Sequence, residues 1–174
     1  MKLAARAGRV VASPTLSITA TAKAMIAQGI DIVDFASGEP DFDTPDYVKA
    51  AAEAAMRAGF TKYTAASGID ELKSAIAEKL KADQGLRYDK SQILVSCGAK
   101  HALYNLAEAL VEAGDEVIIP APFWVSYQDQ VLLNDATPVL LQTREADGYA
   151  VDRATLEAIV TPRTKAIIVN SPCN

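Results

Sequence analysis

The sequence predicts an α/β fold in which helices cover both sides of a mostly parallel β-sheet. Segments with helical periodicity alternate along its 174 residues with short β-branched runs, and Gly, Pro and Asp separate them. Residues 166–169 (AIIV) are uniformly apolar, as is typical of a strand buried on both faces of a parallel sheet. Half of the residues are apolar, which is enough for a sizeable core.

Two helices are predicted in the first half of the chain. Thr44 is placed to cap the first helix, Pro45 lies just inside its start, and Gly59 ends it. The second helix begins near Ser67, whose hydroxyl and Asp70 form a pattern like a capping box, and it continues with apolar residues at helical spacing.

A strand, a glycine turn and a helix are predicted in the middle of the chain. The apolar residues 93–95 indicate the strand, which turns through residues 96–98 into a helix that ends at Gly114. This order is that of a βα unit.

Two further strands are predicted at residues 117–119 and 139–141, with a helical stretch at about residues 123–134 between them. Asp152 is placed to cap a short helix through Ile159, before the last strand.

The composition disfavours several classes of function. The formal net charge is −5 with mixed signs along the chain, so we expect no binding of nucleic acid or of an anionic membrane. The first residues lack the apolar stretch of a secretory signal or membrane span. Cys97 and Cys173 lie far apart without metal-ligand spacing, which argues against a disulfide framework and a zinc site, and we expect both to be buried. A cytoplasmic protein that acts on small molecules fits best.

The turn at Gly98 is a candidate anion site. Where a strand leads into a helix, free backbone N–H groups and the helix dipole favour a phosphate. Glycine allows an anion to approach the backbone closely, and Ala99 and Lys100 supply further amides. The sequence is not a nucleotide P-loop, because His101 follows Lys100, and it lacks the three glycines of the dinucleotide motif. A phosphorylated coenzyme is the remaining common ligand.

Five segments together resemble the aspartate aminotransferase family, which belongs to the fold-type I enzymes that use pyridoxal 5'-phosphate (PLP). Their order and spacing match from about Ser13 to the last residue. The segments are 38–42 (GEPDF), 62–68 (KYTAASG), 96–100 (SCGAK), 120–127 (PAPFWVSY) and 170–174 (NSPCN). The opening residues 13–15 also resemble the subgroup that includes bacterial aspartate/prephenate aminotransferases.

The resemblance implies a three-layer α/β/α fold that is incomplete in this chain. Residues 1–45 would form the N-terminal arm and a segment of the small domain, and residues 46–174 the first part of the large cofactor-binding domain. The whole protein would exchange an amino group between L-aspartate, or a similar amino acid, and a 2-oxo acid.

The resemblance also implies the residues that bind the cofactor. The main-chain amides of Gly98, Ala99 and Lys100 would form the phosphate cup of PLP. Trp124 would stack on the pyridine ring and help shape the substrate pocket. Asn174 would donate its side-chain amide to the phenolic oxygen of the cofactor, close to the substrate carboxylate.

Two earlier residues complete the implied site. Gly38 would bring its backbone to the substrate carboxylate, where a side chain would obstruct binding. Tyr63 would reach across a two-fold interface to the phosphate of the neighbouring subunit, so a homodimer with shared active sites is expected. Tyr127 lies one helical turn from Trp124, and packing is its expected role.

The family's catalytic lysine, usually found in a Ser-x-x-Lys pattern, is absent from this sequence. We expect it downstream of Asn174, with the arginines that bind carboxylates. The chain alone is therefore expected to be inactive, and its sheet to have an open apolar edge. Two alternatives remain open. One is an enzyme with the same fold that acts on aromatic amino acids or prephenate, or is a lyase, and the other is a non-catalytic binding domain.

Overall fold

The computed structural model describes residues 4–10, 14–35 and 38–173. The chain divides into two compact units, Met1–Ser17 with Gly98–Asn174, and Ile18–Cys97. The predicted domain boundary after residue 45 concerns the whole protein and stays a prediction.

In the described ranges, the helices and strands are α1 (Pro14–Ala27), α2 (Asp46–Arg57), α3 (Asp70–Gln84), α4 (Ala99–Leu110), β1 (Glu116–Ala121), α5 (Ser126–Leu133), β2 (Thr137–Gln142), α6 (Arg153–Ile159) and β3 (Thr164–Ile167).

The sheet consists, in the described residues, of three parallel strands in the order β2-β1-β3. Glu116 at the start of β1 is level with Thr137 of β2 and Thr164 of β3, so the carboxyl ends of the strands lie at the same edge of the sheet. The predicted α/β fold with a parallel sheet is confirmed. No helix in the described ranges is long and apolar enough to cross a membrane.

The central strand β1 forms the middle of the core. Val117 and Ile119 pack in one cluster with Tyr127 and Val131 of α5. Ile118 lies on the opposite face by strand alternation and is only 1% exposed, so both faces of β1 are covered. This packing fixes α5 against the central strand.

The edge strand β3 differs from its prediction. Ala166 and Ile168 pack against the core, but Ile167 is 40% and Val169 71% exposed. The prediction of burial on both faces is therefore wrong, because the described residues cover only the face of β3 that carries Ala166 and Ile168.

Residues 93–95 form no strand, contrary to the prediction. An apolar sequence favours an extended backbone, but a strand also needs a neighbouring strand to bond to. Here the Val95 N–H donates instead to the Ser67 carbonyl of a loop, at 3.0 Å. The helix after the glycine turn is present as α4, but it ends at Leu110 rather than at Gly114, because the backbone of Val111 is extended. Helix α6 is capped as predicted, since Asp152 accepts the Thr155 N–H at 2.9 Å.

The starts of α2 and α3, in the unit Ile18–Cys97, also differ from prediction. Pro45 rather than Thr44 occupies the N-cap position of α2. The predicted capping box of Ser67 and Asp70 does not form, because both side chains bind Lys73. The Lys73 Nζ lies 3.2 Å from the Ser67 hydroxyl and 3.2 Å from the Asp70 carboxylate. Lys73 is buried, and a buried ammonium group requires such partners.

Candidate functional site

The first turn of α4 is the predicted anion site. Gly98 precedes the helix with φ 86° and ψ 167°, a backbone conformation that favours glycine. No side chain caps the helix, and its first turn contains no acidic residue. A Cβ placed on Gly98 would have no contact within 4 Å beyond its chain neighbours. Because the first amides of a helix have no carbonyl partner within it, those of Ala99 and Lys100 suit a phosphate.

The indole ring of Trp124 lies beside this turn. Its centroid is 4.7 Å from the Lys100 Nζ, which is a cation–π contact. Tyr127 meets the indole edge-on, with the centroids 5.5 Å apart and the ring planes at 88°. Tyr127 is 7% exposed and belongs to the core, so its predicted packing role is confirmed. The structure thus brings together the turn and the indole that the sequence singles out.

Two side chains hold the segment that leads from β1 to Trp124. The Thr143 hydroxyl donates to the Ala121 carbonyl, and the Cys173 thiol donates to the Pro122 carbonyl at 2.8 Å. The expectation that both cysteines are buried is wrong, because both are exposed. Cys173 lies in the loop after β3, outside the packed core. Its thiol binds the loop that contains Pro122.

A buried amide links α5 to the first turn of α4. Gln130 is 6% exposed, and its Nε2 donates to the Lys100 carbonyl at 3.1 Å. Sequence reasoning missed this residue, since it lies 30 positions from its partner and belongs to no motif. A glutamine inside a helix that packs on the core is the only signal the sequence offers.

A cavity of about 720 Å³ opens at the carboxyl end of the sheet. Phe123 and Tyr127 line it together with Tyr149 and Asn170. Ligands of parallel α/β sheets bind outside the carboxyl ends of the strands, and this volume suits a small molecule. The cavity therefore lies where the fold class places a small-molecule site.

At the opposite end of the sheet, the buried Glu116 binds two less buried partners. The Glu116 carboxylate accepts hydrogen bonds from the Thr161 hydroxyl at 2.6 Å and from the Arg163 Nε at 2.9 Å. These two partners, the Thr161 hydroxyl first, hold the pKa of Glu116 below its usual range. These contacts fasten β1 to the segment before β3 and lie away from the cavity.

The other predicted site residues lie elsewhere in the chain. Gly38 and Tyr63 belong to the unit Ile18–Cys97, and both are exposed, Tyr63 completely. Asn174 lies outside the described residues. His101 is exposed on α4. Across the described part of the chain, no group of three or more His, Cys, Asp or Glu side chains is arranged to hold a metal ion.

Known proteins match this chain over nearly its full length. The sequence profile of the aminotransferase class I and II family matches residues 30–174. An aspartate/prephenate aminotransferase of Cereibacter sphaeroides is 51% identical over 95% of this chain and 42% of its own length. An aspartate aminotransferase of Bacillus subtilis is 47% identical over 100% of this chain and 44% of its own length. The solved structure of an aspartate aminotransferase from Thermus thermophilus with maleate has a TM-score of 0.97 and 41% identity, and the match covers 100% of this chain and 46% of that chain. This chain thus spans less than half the length of these relatives.

Proposed function

Because this chain belongs to the family of class I and II aminotransferases, we propose that it is the front portion of a PLP-dependent enzyme. The whole protein transfers an amino group between L-aspartate, or a similar amino acid, and a 2-oxo acid. The observation that carries the proposal is the open turn at Gly98 beside the indole of Trp124, which Lys100 contacts. The names of its relatives support aspartate as the amino donor.

The described residues fit the cofactor. When bound, PLP supplies an electron sink for bonds at the α-carbon of the amino acid. The amides after Gly98 would bind its phosphate at the positive end of the α4 dipole, and the space that a Cβ on Gly98 would enter is open. The flat face of Trp124 fixes the orientation of the pyridine ring and helps shape the substrate pocket.

Three further residues complete the proposed site. Asn174 donates its side-chain amide to the phenolic oxygen of the cofactor, and Gly38 presents its backbone to the substrate carboxylate. The Tyr63 hydroxyl binds the phosphate held by the neighbouring subunit of a homodimer. Tyr63 is fully exposed in this chain, so its hydroxyl is accessible to a second subunit.

The 174-residue chain alone is expected to be inactive. The family's proton-transferring lysine stands in a Ser-x-x-Lys pattern, and none of the lysines in this sequence does. The turn and the indole thus provide binding and orientation in the proposal, and proton transfer at the α-carbon depends on the rest of the whole protein.

A titration followed by an assay tests the proposal. The whole protein, freed of cofactor, is titrated with PLP while the absorbance of the coenzyme is recorded, and it is then assayed with L-aspartate and 2-oxoglutarate. We expect one PLP per chain and transfer of the amino group. Failure to bind PLP would refute the proposal, whereas binding without amino transfer to any 2-oxo acid would favour the non-catalytic binding domain.

A second amino acceptor is prephenate. Two relatives, 51% and 47% identical to this chain, are named aspartate/prephenate aminotransferases. In the same assay, we expect prephenate to replace 2-oxoglutarate as acceptor if the whole protein shares this substrate range. An enzyme that turns over 2-oxoglutarate but ignores prephenate is an aspartate aminotransferase alone.

A further inference from the structure

One face of α5 contacts two parts of the proposed site. Tyr127 packs edge-on against Trp124 with the ring centroids 5.5 Å apart, and Gln130 donates to the Lys100 carbonyl at 3.1 Å. Tyr127 and Gln130 are three residues apart, and therefore neighbours on the helix surface. Both are buried, at 7% and 6% exposure. A single buried surface of α5 therefore holds both the indole and the first turn of α4.

The carbonyl of Lys100 is a suitable point for fixing this turn. The amides of the turn are needed for a phosphate, and no side chain caps the helix at Gly98. A hydrogen bond to a carbonyl orients the turn and leaves those amides unused. The bond is also costly to lose, because a buried amide without a partner is unfavourable.

We propose that Gln130 is a positioning residue for the cofactor, acting through the Lys100 carbonyl to hold the phosphate-binding amides in place. The proposal rests on the proposed function, since it concerns the same phosphate. It adds a residue that touches neither cofactor nor substrate and that the sequence motifs do not contain.

The test compares two ligands on the whole protein freed of cofactor. Gln130→Met keeps the length of the side chain but removes the donor. We expect the dissociation constant of PLP to rise about three- to tenfold, as is typical for the loss of one buried hydrogen bond. Pyridoxal, which lacks the phosphate, should bind as it does to the wild type. This difference separates positioning of the turn from general loosening of the fold, which would weaken both ligands.

Two further variants complete the test. Gln128→Met makes the same change at a partly exposed position of α5, and both ligands should bind to it as to the wild type. Gln130→Asn keeps the amide but withdraws it by one carbon–carbon bond, and it replaces Gln130→Met if that variant does not fold. Unchanged PLP affinity in the Gln130 variants, or an equal loss for PLP and pyridoxal, overturns the inference. A wild type that does not bind PLP refutes the proposed function itself.

Discussion

The indole of Trp124 is fixed by neighbours whose contacts set its distance from the phosphate turn. The Lys100 Nζ lies 4.7 Å from its centroid, and the Tyr127 ring packs against it in a T-shaped arrangement. A ring that is fixed before the ligand arrives loses little entropy on binding, so its stacking contributes fully to affinity. The side chain at position 124 is therefore expected to control how tightly the coenzyme ring is held.

In the whole protein, Trp124→Ala is predicted to raise the dissociation constant of PLP by about tenfold, because the stacking surface is lost. Turnover falls as well, while the dimer survives. Trp124→Phe should recover part of the affinity, since phenylalanine restores a smaller flat face. Titration with PLP, followed by the absorbance of the coenzyme, measures the dissociation constant for all three proteins. Wild-type affinity in the alanine variant would contradict the proposed contact.

Glu116 lies at the end of the sheet away from the cavity, and its contribution to the stability of the fold is expected to depend on pH. The Thr161 hydroxyl and the Arg163 guanidinium lower the pKa of Glu116 in the folded state. The ionised carboxylate therefore stabilises the fold above the ordinary pKa of 4.5, and this contribution is lost as the pH falls through the lower folded-state pKa. At neutral pH, the thermal midpoint of whole-protein Glu116→Gln should lie below that of the wild type.

The difference in thermal midpoint between Glu116→Gln and the wild type should begin to decrease below pH 4.5, the ordinary pKa of the group. Glu112→Gln, at an exposed position nearby, serves as the matched control and should change the midpoint little at any pH. If the difference in thermal midpoint between Glu116→Gln and the wild type does not depend on pH, the lower stability results from lost packing rather than from lost charge.

At the level of elements, a glycine allows the segment before α3 to pack on residues 93–95. Gly68 has φ +102°, and a Cβ there would lie 2.6 Å from the Val95 Cγ2. Gly68→Ala should therefore lower the free energy of unfolding by about 2 to 4 kcal/mol, from backbone strain and overpacking together. Chemical unfolding of the whole protein measures the loss.

Gly59→Ala separates the two causes. Gly59 has a similar φ of +76° but open space where the Cβ would go, so only the backbone cost of about 1 kcal/mol is expected. Adding Val95→Ala to Gly68→Ala should restore part of the stability, because the atom that clashes is removed. Equal losses at the two glycines would mean that contact with Val95 is unimportant.

Elements that local chemistry determines could be predicted from the sequence. The start of α4 at Gly98 and the cap of α6 at Asp152 depend on residues within a few positions of one another. Residues 93–95 were mispredicted because a strand depends on a distant neighbour. The capping box of Ser67 failed because a buried lysine competes for its hydroxyl, and burial is a property of the folded chain.

The same limit applies to the candidate site. The motifs identified the turn at Gly98 and the ring at Trp124, since each stands in a recognisable segment. They did not indicate that Lys100 lies over the indole or that Gln130 holds the turn, because each contact joins residues that are 24 or 30 positions apart. Contacts of this kind appear only when α4 and α5 are packed together.

At the scale of the whole molecule, the proposal divides the active site between two copies of the protein. In the proposed dimer, each subunit would supply the turn at Gly98 and Trp124 to its own site, and Tyr63 to the site of its partner. Isolated Tyr63→Ala and Trp124→Ala proteins should both have low aminotransferase rates. A dimer of one subunit of each kind would have one site with both defects and one site with neither.

Mixing these two variants and allowing their subunits to exchange should therefore restore activity. Random pairing of two-fold dimers gives up to about a quarter of the wild-type sites intact. Trp124→Ala mixed with Gly98→Val is the matched control, because both defects are expected in the site of the subunit that carries them, and no intact site can form. The rate of amino transfer is recorded before and after exchange. A Tyr63 and Trp124 mixture that stays as inactive as the control would show that Tyr63 serves its own subunit or none, and the shared site would have to be abandoned.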